Sequence, residues 1–416
     1  MENRYTISSL FLKVNEFIWK NSFVQKFRNI YYFVDIFLLL FCKKNKTEAK
    51  GNVEKTGKVN HNIKKKVLIV YNMALGDGII FSGVCSHIRK IWPKDQYEVT
   101  ITCQSAFASL YRADDTFDHV IPLDFAGSVL NLKNRIALYR KLREENYDIV
   151  VDPVGCDDCT TNVFVTRAAH AKEKIGVMDM MRPIHEMPQW MRKKIYSKVV
   201  QLNIPHMHLL EHYAAFWKEL SGEECELQLA NLPHMELKLD LPEKFFIVFP
   251  VASVDVKKWK PENYAIVAKR IYEKTKLPLL VCGTEHDRPS IQEFLSHLPD
   301  VPFFDAVGKT NIMEYTELIG RASLILTNDT SAYHIAVARE VPTVMLCGGY
   351  VYDKYANYPC NKLGCKEPVL ATNKMECYNC GNHCKYHGFA VYPCVENIEV
   401  EDVWKCTEQL IERVGM

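Results

Sequence analysis

The stretch LTNDTSAYHIAVAREVPTVMLCGG, Leu326 to Gly349, decides how the chain is built. It reads as a buried strand ending at Leu326, a polar turn at Thr327 to Asp329, and a helix opening at Thr330. A second apolar strand, Thr343 to Leu346, follows and runs into Gly348-Gly349. Asp329 stands where an N-cap belongs, its carboxylate able to accept from the free N–H groups of the first helical turn. Thr330, Ser331 and Ala332 are small residues at a helix N-terminus, which is a seat for a phosphate anion. Strand, small-residue turn and helix N-terminus together make a diphosphate-binding corner.

Outward from that corner the chain alternates strand and helix. Before it lie a strand at Phe245–Phe249, a helix at Pro261–Lys274 with proline in its first turn, and a strand at Leu279–Cys282. Helices at Ile291–Leu298 and Met313–Arg321 and a strand at Leu324–Leu326 complete this series. An earlier series starts in KKKVLIVYNMALGDGIIFSGVCSHIRKIWP, Lys64 to Pro93. It predicts a buried strand at Val67–Tyr71, a turn at Gly76-Asp77-Gly78 and a helix over Ile79–Ile91. Strands at Tyr97–Cys103 and Tyr147–Val151 follow, with a helix at Leu132–Asn146 between them and an amphipathic helix at His206–Leu220 after them. Such an order predicts two doubly wound α/β domains facing a cleft, at 63–235 and 236–416, joined through a proline-containing linker at 221–242. The second domain carries a cysteine-rich insertion at 360–394 and a closing helix, Val400–Val414, expected to pack back across the domains. The glycine pattern Gly76-x-Gly78-x4-Gly83, and Gln104 where a ribose-binding acid belongs, argue against NAD.

A chain of 416 residues with 48% hydrophobic and 25% charged residues is a folded globular protein. A net charge of +2 gives no general argument for a nucleic-acid partner. The fifteen cysteines, several in apparent core strands (Cys103, Cys282, Cys347), suit a reducing compartment. Residues 1–62 differ from the rest. Phe11, Val14, Phe17 and Ile18 form an apolar helical face, and a nearly continuous apolar run, Ile30–Cys42, meets Lys43, Lys44 and Lys46. That run is shorter than the roughly 20 residues a spanning helix needs. The segment reads as an interfacial anchor, apolar side in lipid and lysines on anionic headgroups. The alternatives are helices packed on the protein's own body and a true span.

Four loops carry chemistry. Asp77, at the carboxyl end of the first strand, is either a helix cap or a general base for an attacking hydroxyl. In FPVASVDVKKWKPENY, Phe249 to Tyr264, Ser253 and Lys257 can contact diphosphate oxygens, whereas Lys258 and Lys260 read as solvated and Trp259 as packed. Glu285 in CGTEHD is a ribose ligand or a helix-start carboxylate. His334 is a core histidine or a phosphate ligand.

Together LGDG at Leu75, FPVASVDVKKW at Phe249, GTEH at Gly283 and NDTSAYHIAVA at Asn328 resemble glycosyltransferase family 9, the ADP-heptose:lipopolysaccharide heptosyltransferases and their relatives. The resemblance covers roughly 64–350. It implies a GT-B fold and metal-independent, inverting transfer from a nucleotide-sugar, with Asp77 as base. It further implies Ser253 and Lys257 on the diphosphate, Glu285 on the ribose, and Asp329, Thr330 and His334 in the donor turn. Ser331 departs from the glycine usual in the family and narrows the approach to the donor. No cofactor is implied for catalysis. The expected partners are a nucleoside-diphosphate sugar, ADP-sugar favoured, a lipopolysaccharide-type or lipid-linked glycan acceptor, and the inner face of the cytoplasmic membrane. The rivals are a nucleotide-sugar epimerase or hydrolase and a non-catalytic sugar-nucleotide-binding protein.

A cysteine cluster lies outside that pattern. Cys377-x2-Cys380-x3-Cys384 and Cys394 have the composition of a tetrahedral structural zinc site, with His383 and His387 nearby and Cys360 and Cys365 as further ligands in reserve. Disulfides and free thiols are the alternatives. Cys156-x2-Cys159 has no assignment.

Overall fold

The computed structural model describes Leu39 and residues 64–416, apart from 125–126, 128–130, 157–160, 181–186, 205–206, 382–383 and 387–388. The expected anchor at 1–62 therefore lies outside the described residues except for Leu39, which packs on the core of the first half. No helix among the described residues is long and apolar enough to cross a membrane.

The first half holds six strands: β1 (Lys65–Val70), β2 (Tyr97–Gln104), β3 (His119–Leu123), β4 (Tyr147–Asp152), β5 (Ala171–Asp179) and β6 (Lys198–Leu202). They pair in the order β3-β2-β1-β4-β5-β6, every neighbour parallel. Helices α1 (Leu75–Ser82), α2 (Ser86–Ile91), α3 (Ala108–Arg112), α4 (Leu132–Glu144), α5 (Thr161–Ala168), α6 (Gln189–Ile195) and α7 (Leu209–Ser221) connect and cover them. Parallel strands buried on both faces need apolar residues throughout, and β1 supplies them. Val67, Ile69 and Tyr71 enter one core cluster while Leu68 and Val70 enter another, as the two-residue period of a strand requires.

The second half repeats this plan with β7 (Phe246–Phe249), β8 (Leu279–Gly283), β9 (Phe303–Val307), β10 (Leu324–Thr327), β11 (Thr343–Leu346) and β12 (Val369–Ala371). Their order, β12-β11-β10-β7-β8-β9, is that of the first sheet, again all parallel. Its helices are α8 (Pro261–Thr275), α9 (Arg288–Ser296), α10 (Ile312–Gly320), α11 (Ser331–Ala338), α12 (Cys360–Leu363), α13 (Pro393–Glu396) and α14 (Val400–Val414). Each sheet therefore reverses direction once, between β1 and β4 and between β7 and β10. Ligands of open α/β sheets sit at such reversals.

Three local expectations are corrected. The helix placed at Ile79–Ile91 begins at Leu75 and breaks at Gly83–Cys85, so Gly76, Asp77 and Gly78 form its first turn instead of preceding it. Those glycines serve close approach. A Cβ on Gly76 would come 2.8 Å from His334 Cδ2, and one on Gly78 would come 3.2 Å from the Tyr111 hydroxyl. The linker is a packed strap, with Leu232 and Leu237 buried and Gln228 N–H donating to the Gly83 carbonyl at 3.1 Å. The closing helix α14 lies on its own half, against α8 and the β11–β12 edge. Its apolar face decides this, with Val403, Leu410 and Ile411 buried there, while at the exposed rim Glu401 pairs with Arg270, and Glu408 and Glu412 pair with Lys274.

Candidate active site

Two helix N-termini meet between the halves, because α1 packs on α11. Asp77, in the first turn of α1, is half-buried, and its backbone is pinned from below. The Tyr71 hydroxyl donates to the Asp77 carbonyl at 2.8 Å, so the Tyr213 hydroxyl, 2.9 Å away, donates to Tyr71. One carboxylate contact comes from the Tyr355 hydroxyl. Oδ1 is buried with no hydrogen-bond partner among the described residues. Burial pushes the Asp77 carboxyl up to about 6 and the charge of Asp329 adds to the rise, while Lys354, Lys257 and the Tyr355 bond oppose it. A carboxylate that binds a proton near neutrality and keeps an unused buried oxygen has the properties of a general base.

On the other side, β7 leads into the loop that carries Ser253, exposed, and a single 3-10 turn, Asp255–Lys257. Lys257 Nζ lies 2.6 Å from Asp329 Oδ2 and 5.3 Å from the centre of the Tyr350 ring, and the Tyr350 hydroxyl donates to the same Asp329 oxygen at 3.3 Å. The pairing corrects the N-cap expectation. The N-cap is Thr330, whose backbone is extended and whose hydroxyl bonds Thr327 Oγ1 at 3.2 Å. Asp329 stands one residue too early to cap, and Lys257 claims its carboxylate. An ammonium has three donors, so two remain after this bond. Lys258 pairs with Asp255, and Trp259 is buried with its Nε1 donating to the Ile398 carbonyl, as packing predicts.

Ser331, at the first position of α11, backs onto Gly76 of the other half: a Cβ on Gly76 would lie 3.7 Å from Ser331 Cα. His334, one turn on, is 3% exposed, and burial lowers its pKa to about 4, so the imidazole is neutral at pH 7. Its Nδ1 is 3.0 Å from the Tyr358 hydroxyl. It is a core histidine bordering the site and brings no charge to a phosphate. Glu285 opens the 3-10 turn after β8 and is exposed. Arg288 holds both its oxygens, at 2.6 and 2.7 Å. The carboxylate is thus fixed in one orientation beside Gly308, whose φ of +70° and lack of a side chain make room for it.

The sequence reading missed the segment after Gly349. Tyr350 reaches Asp329, Tyr355 reaches Asp77 and Tyr358 reaches His334, so one stretch touches both halves of the site. Its centre, Tyr352–Ala356, is a π-helical turn, a conformation frequent at functional sites. His208 of the first half holds it. Its Nδ1 accepts from Leu210 N–H, so Nε2 carries the proton and donates to the Tyr355 carbonyl at 3.1 Å. The available signal was four tyrosines in nine residues, Tyr350 to Tyr358, directly after the Gly-Gly turn. Asp152, at the end of β4, was also missed. It is fully buried, accepts from the Tyr196 hydroxyl at 2.7 Å and from Val154 N–H, and closes its own loop.

Among the described residues, no group of three or more His, Cys, Asp or Glu side chains is gathered tightly enough to hold a metal ion. Cys360 and Cys365 stand apart from the remaining cluster with their sulfurs 3.0 Å from each other. His383, His387 and Cys159 lie outside the described residues.

The sequence model of glycosyltransferase family 9 (heptosyltransferase) matches residues 135–377, more than half of the chain. The matched span contains Lys257 and Asp329 and begins after Asp77. Lipopolysaccharide core heptosyltransferase OpsX of Haemophilus influenzae is 23% identical over 69% of this chain and 79% of its own length. Lipopolysaccharide heptosyltransferase 3 of Escherichia coli is 24% identical over 66% and 79%. Among solved structures, a family 9 glycosyltransferase of Veillonella parvula superposes with a TM-score of 0.62 at 19% identity, over 84% of this chain and 97% of that one. E. coli ADP-heptose lipopolysaccharide heptosyltransferase II gives 0.62 at 17% identity, over 84% and 100%. E. coli heptosyltransferase WaaC with ADP-2-deoxy-2-fluoro heptose gives 0.58 at 17%, over 84% and 99%. Two parallel six-stranded sheets of one order, facing each other through their reversal points, are thus the GT-B fold, and the chain belongs to glycosyltransferase family 9 and is a glycosyltransferase.

Proposed function

We propose that the protein transfers heptose or a related sugar, with inversion, from a nucleoside-diphosphate donor to a hydroxyl of a lipopolysaccharide-type glycan. Residues 63–235 form the acceptor domain and 236–416 the donor domain. The acceptor hydroxyl gives its proton to Asp77 Oδ1 as its oxygen bonds to the anomeric carbon. The bond from that carbon to the diphosphate breaks, and the nucleoside diphosphate leaves with the electron pair. The two free donors of Lys257, the Ser253 hydroxyl and the N–H groups at Thr330 and Ser331 stabilise the departing charge. Asp329 aims Lys257. Glu285 takes the ribose hydroxyls through lone pairs that Arg288 leaves open, and His334 shapes the donor wall. Because charge on the leaving group is met by an ammonium and a helix N-terminus, the transfer needs no cofactor. An ADP-sugar is the favoured donor, since the relatives' names include ADP-heptose. Residues 1–62 hold the enzyme on the inner face of the cytoplasmic membrane, beside a glycolipid acceptor.

One observation carries this reading. A carboxylate with an unpartnered buried oxygen and a partly spent lysine come from opposite halves to one cleft. The test is thermal melting with ADP, UDP, GDP, dTDP and NAD, because a ligand of the native state raises the midpoint. Stabilisation by ADP alone is expected. Stabilisation by NAD alone, or by no nucleotide, overturns the donor assignment.

A further inference from the structure

The first sheet has two unlike faces. Val67 and Ile69 of β1 pack with α1, α2 and α7, whereas Leu68 and Val70 pack with α4 and α5. α4 lies on α5 and α5 on α6, so these three make one layer. Across the whole chain 52 Lys and Arg nearly balance 50 Asp and Glu. The layer does not follow that balance, for its helices carry nine basic residues and one acid, Glu144. Lys133, Arg140, Lys141, Lys193 and Lys194 are exposed, and none pairs with an acid among the described residues. Helices that connect parallel strands run back against them, so α4 and α6 begin at the strands' carboxyl ends, where the cleft lies. The exposed apolar side chains of the layer stand at that same end. Leu132 opens α4, Trp190 opens α6 and Met180 follows β5, at 55%, 48% and 44% exposure. Lys194 Nζ lies 5.2 Å from the centre of the Trp190 ring. Leu39, from the apolar run Ile30–Cys42, packs on this layer too, in the cluster built by Tyr139 and Leu142 of α4 and Ala168 of α5.

We propose that the α4–α6 layer docks on a bilayer rich in anionic phospholipid, its five exposed cations on headgroup phosphates and Leu132, Met180 and Trp190 in the interfacial zone. This rests on the reading that the acceptor is a membrane glycolipid. Each basic side chain held near an anionic surface strengthens binding about fivefold, and the attraction reaches only about a Debye length, so the cations must face the lipid directly. Tryptophan suits the boundary between headgroup and hydrocarbon, where its ring is half wet. The occupant is a bilayer because Leu39 ties the apolar run Ile30–Cys42, with Lys43, Lys44 and Lys46 behind it, to this same layer. One lipid surface then satisfies both the apolar run and the cations. Docking in this way turns the cleft end of the layer to the lipid. A sugar carried on a lipid can reach the strand ends that bear Asp77 while its acyl chains stay in the membrane.

The test is amide hydrogen exchange of the full-length protein on vesicles of phosphatidylcholine alone and of phosphatidylcholine mixed equally with phosphatidylglycerol. α4 and α6 should gain protection on the mixed vesicles only, and added salt should reverse the gain, while α8 and α14 of the second half stay unchanged. Lys193→Glu/Lys194→Glu and Arg140→Glu/Lys141→Glu should each weaken co-sedimentation with the mixed vesicles by about tenfold or more. Both variants should keep the wild-type melting temperature, because the four side chains are exposed. Neither readout involves turnover, so failure of the transferase reading leaves them unmoved. Protection confined to residues 1–62 overturns the docking surface and leaves the anchor standing. Protection of α4 and α6 without residues 1–62 keeps the surface and removes the anchor. Equal binding to neutral vesicles overturns the proposal, as does wild-type co-sedimentation of both variants. So does protection of the two helices by duplex RNA but not by vesicles.

Discussion

The two halves share one strand order and bring an aspartate to the cleft from the same kind of place, yet the two carboxylates differ in what surrounds them. Asp77 follows β1 and Asp329 follows β10, each at the reversal point of its sheet. Asp77 keeps a buried oxygen without a partner and binds a proton up to about pH 6. Asp329 is clasped by Lys257 at 2.6 Å and by the Tyr350 hydroxyl. The backbone plan selects the location, and the neighbours select the chemistry. A desolvated acid can take a proton, whereas a paired acid can only fix its cation.

The largest expected effect breaks the first carboxylate. Asp77→Asn should lower kcat by about 10²- to 10⁴-fold, the usual range for losing a general base, while calorimetry finds donor affinity unchanged. A rate close to that of the wild type would remove the contrast between the two aspartates. Next comes the cation. Lys257→Ala should cost roughly 10²- to 10³-fold in kcat/KM, as loss of one charge-stabilising donor does, and should weaken donor binding by leaving Asp329 unneutralised near the phosphates. Adding Asp329→Ala to that variant should restore part of the donor affinity, because the two residues act as a unit. Additive losses would show that Asp329 has a task of its own.

Smaller effects sharpen the contact between the halves. Gly76→Ala forces a methyl toward the fixed His334 ring and should destabilise the protein by about 1–3 kcal/mol, read as a lower melting temperature. An unchanged midpoint would mean that α1 and α11 can separate freely. The gentlest change is Tyr355→Phe. The Tyr355 bond favours the ionised form of Asp77, so its loss raises the Asp77 pKa. In the wild type, kcat/KM falls as pH drops through about 6, where Asp77 takes up its proton. In Tyr355→Phe that acid limb should move to higher pH, with the plateau rate reduced only a few-fold. A limb that stays in place would detach Tyr355 from the base.

Much of this was legible in the residues. Continuous apolar runs such as VLIV at Val67 and LIL at Leu324 read as buried parallel strands, and their alternation with helices gave the α/β plan, whereas β3, β5, β6, β9 and β12 carry no such run and were not read. The strand-end loops then marked Asp77, Ser253, Lys257, Glu285 and Asp329, because doubly wound sheets place ligands there. Local spacing failed where a partner remote in sequence intervened. Asp329 has the composition of an N-cap, but Lys257, 72 residues earlier, takes its carboxylate. Gly76 and Gly78 have the composition of a turn, but they lie in the first turn of a helix, where the facing ring of His334 and the Tyr111 hydroxyl leave little room for a Cβ.

The sequence by itself determined the alternating α/β plan, seven of the twelve strands among the described residues and the chemical types at the strand ends. These follow from periodicity and from short-range backbone preferences that each segment carries alone. Only the tertiary structure decided that His334 is neutral and that Glu285 is held by Arg288. It also decided that Tyr350, Tyr355 and Tyr358 wire Asp329, Asp77 and His334 into one site. Proton affinity depends on burial and on charges within a few ångströms, and those neighbours come from both halves of the chain.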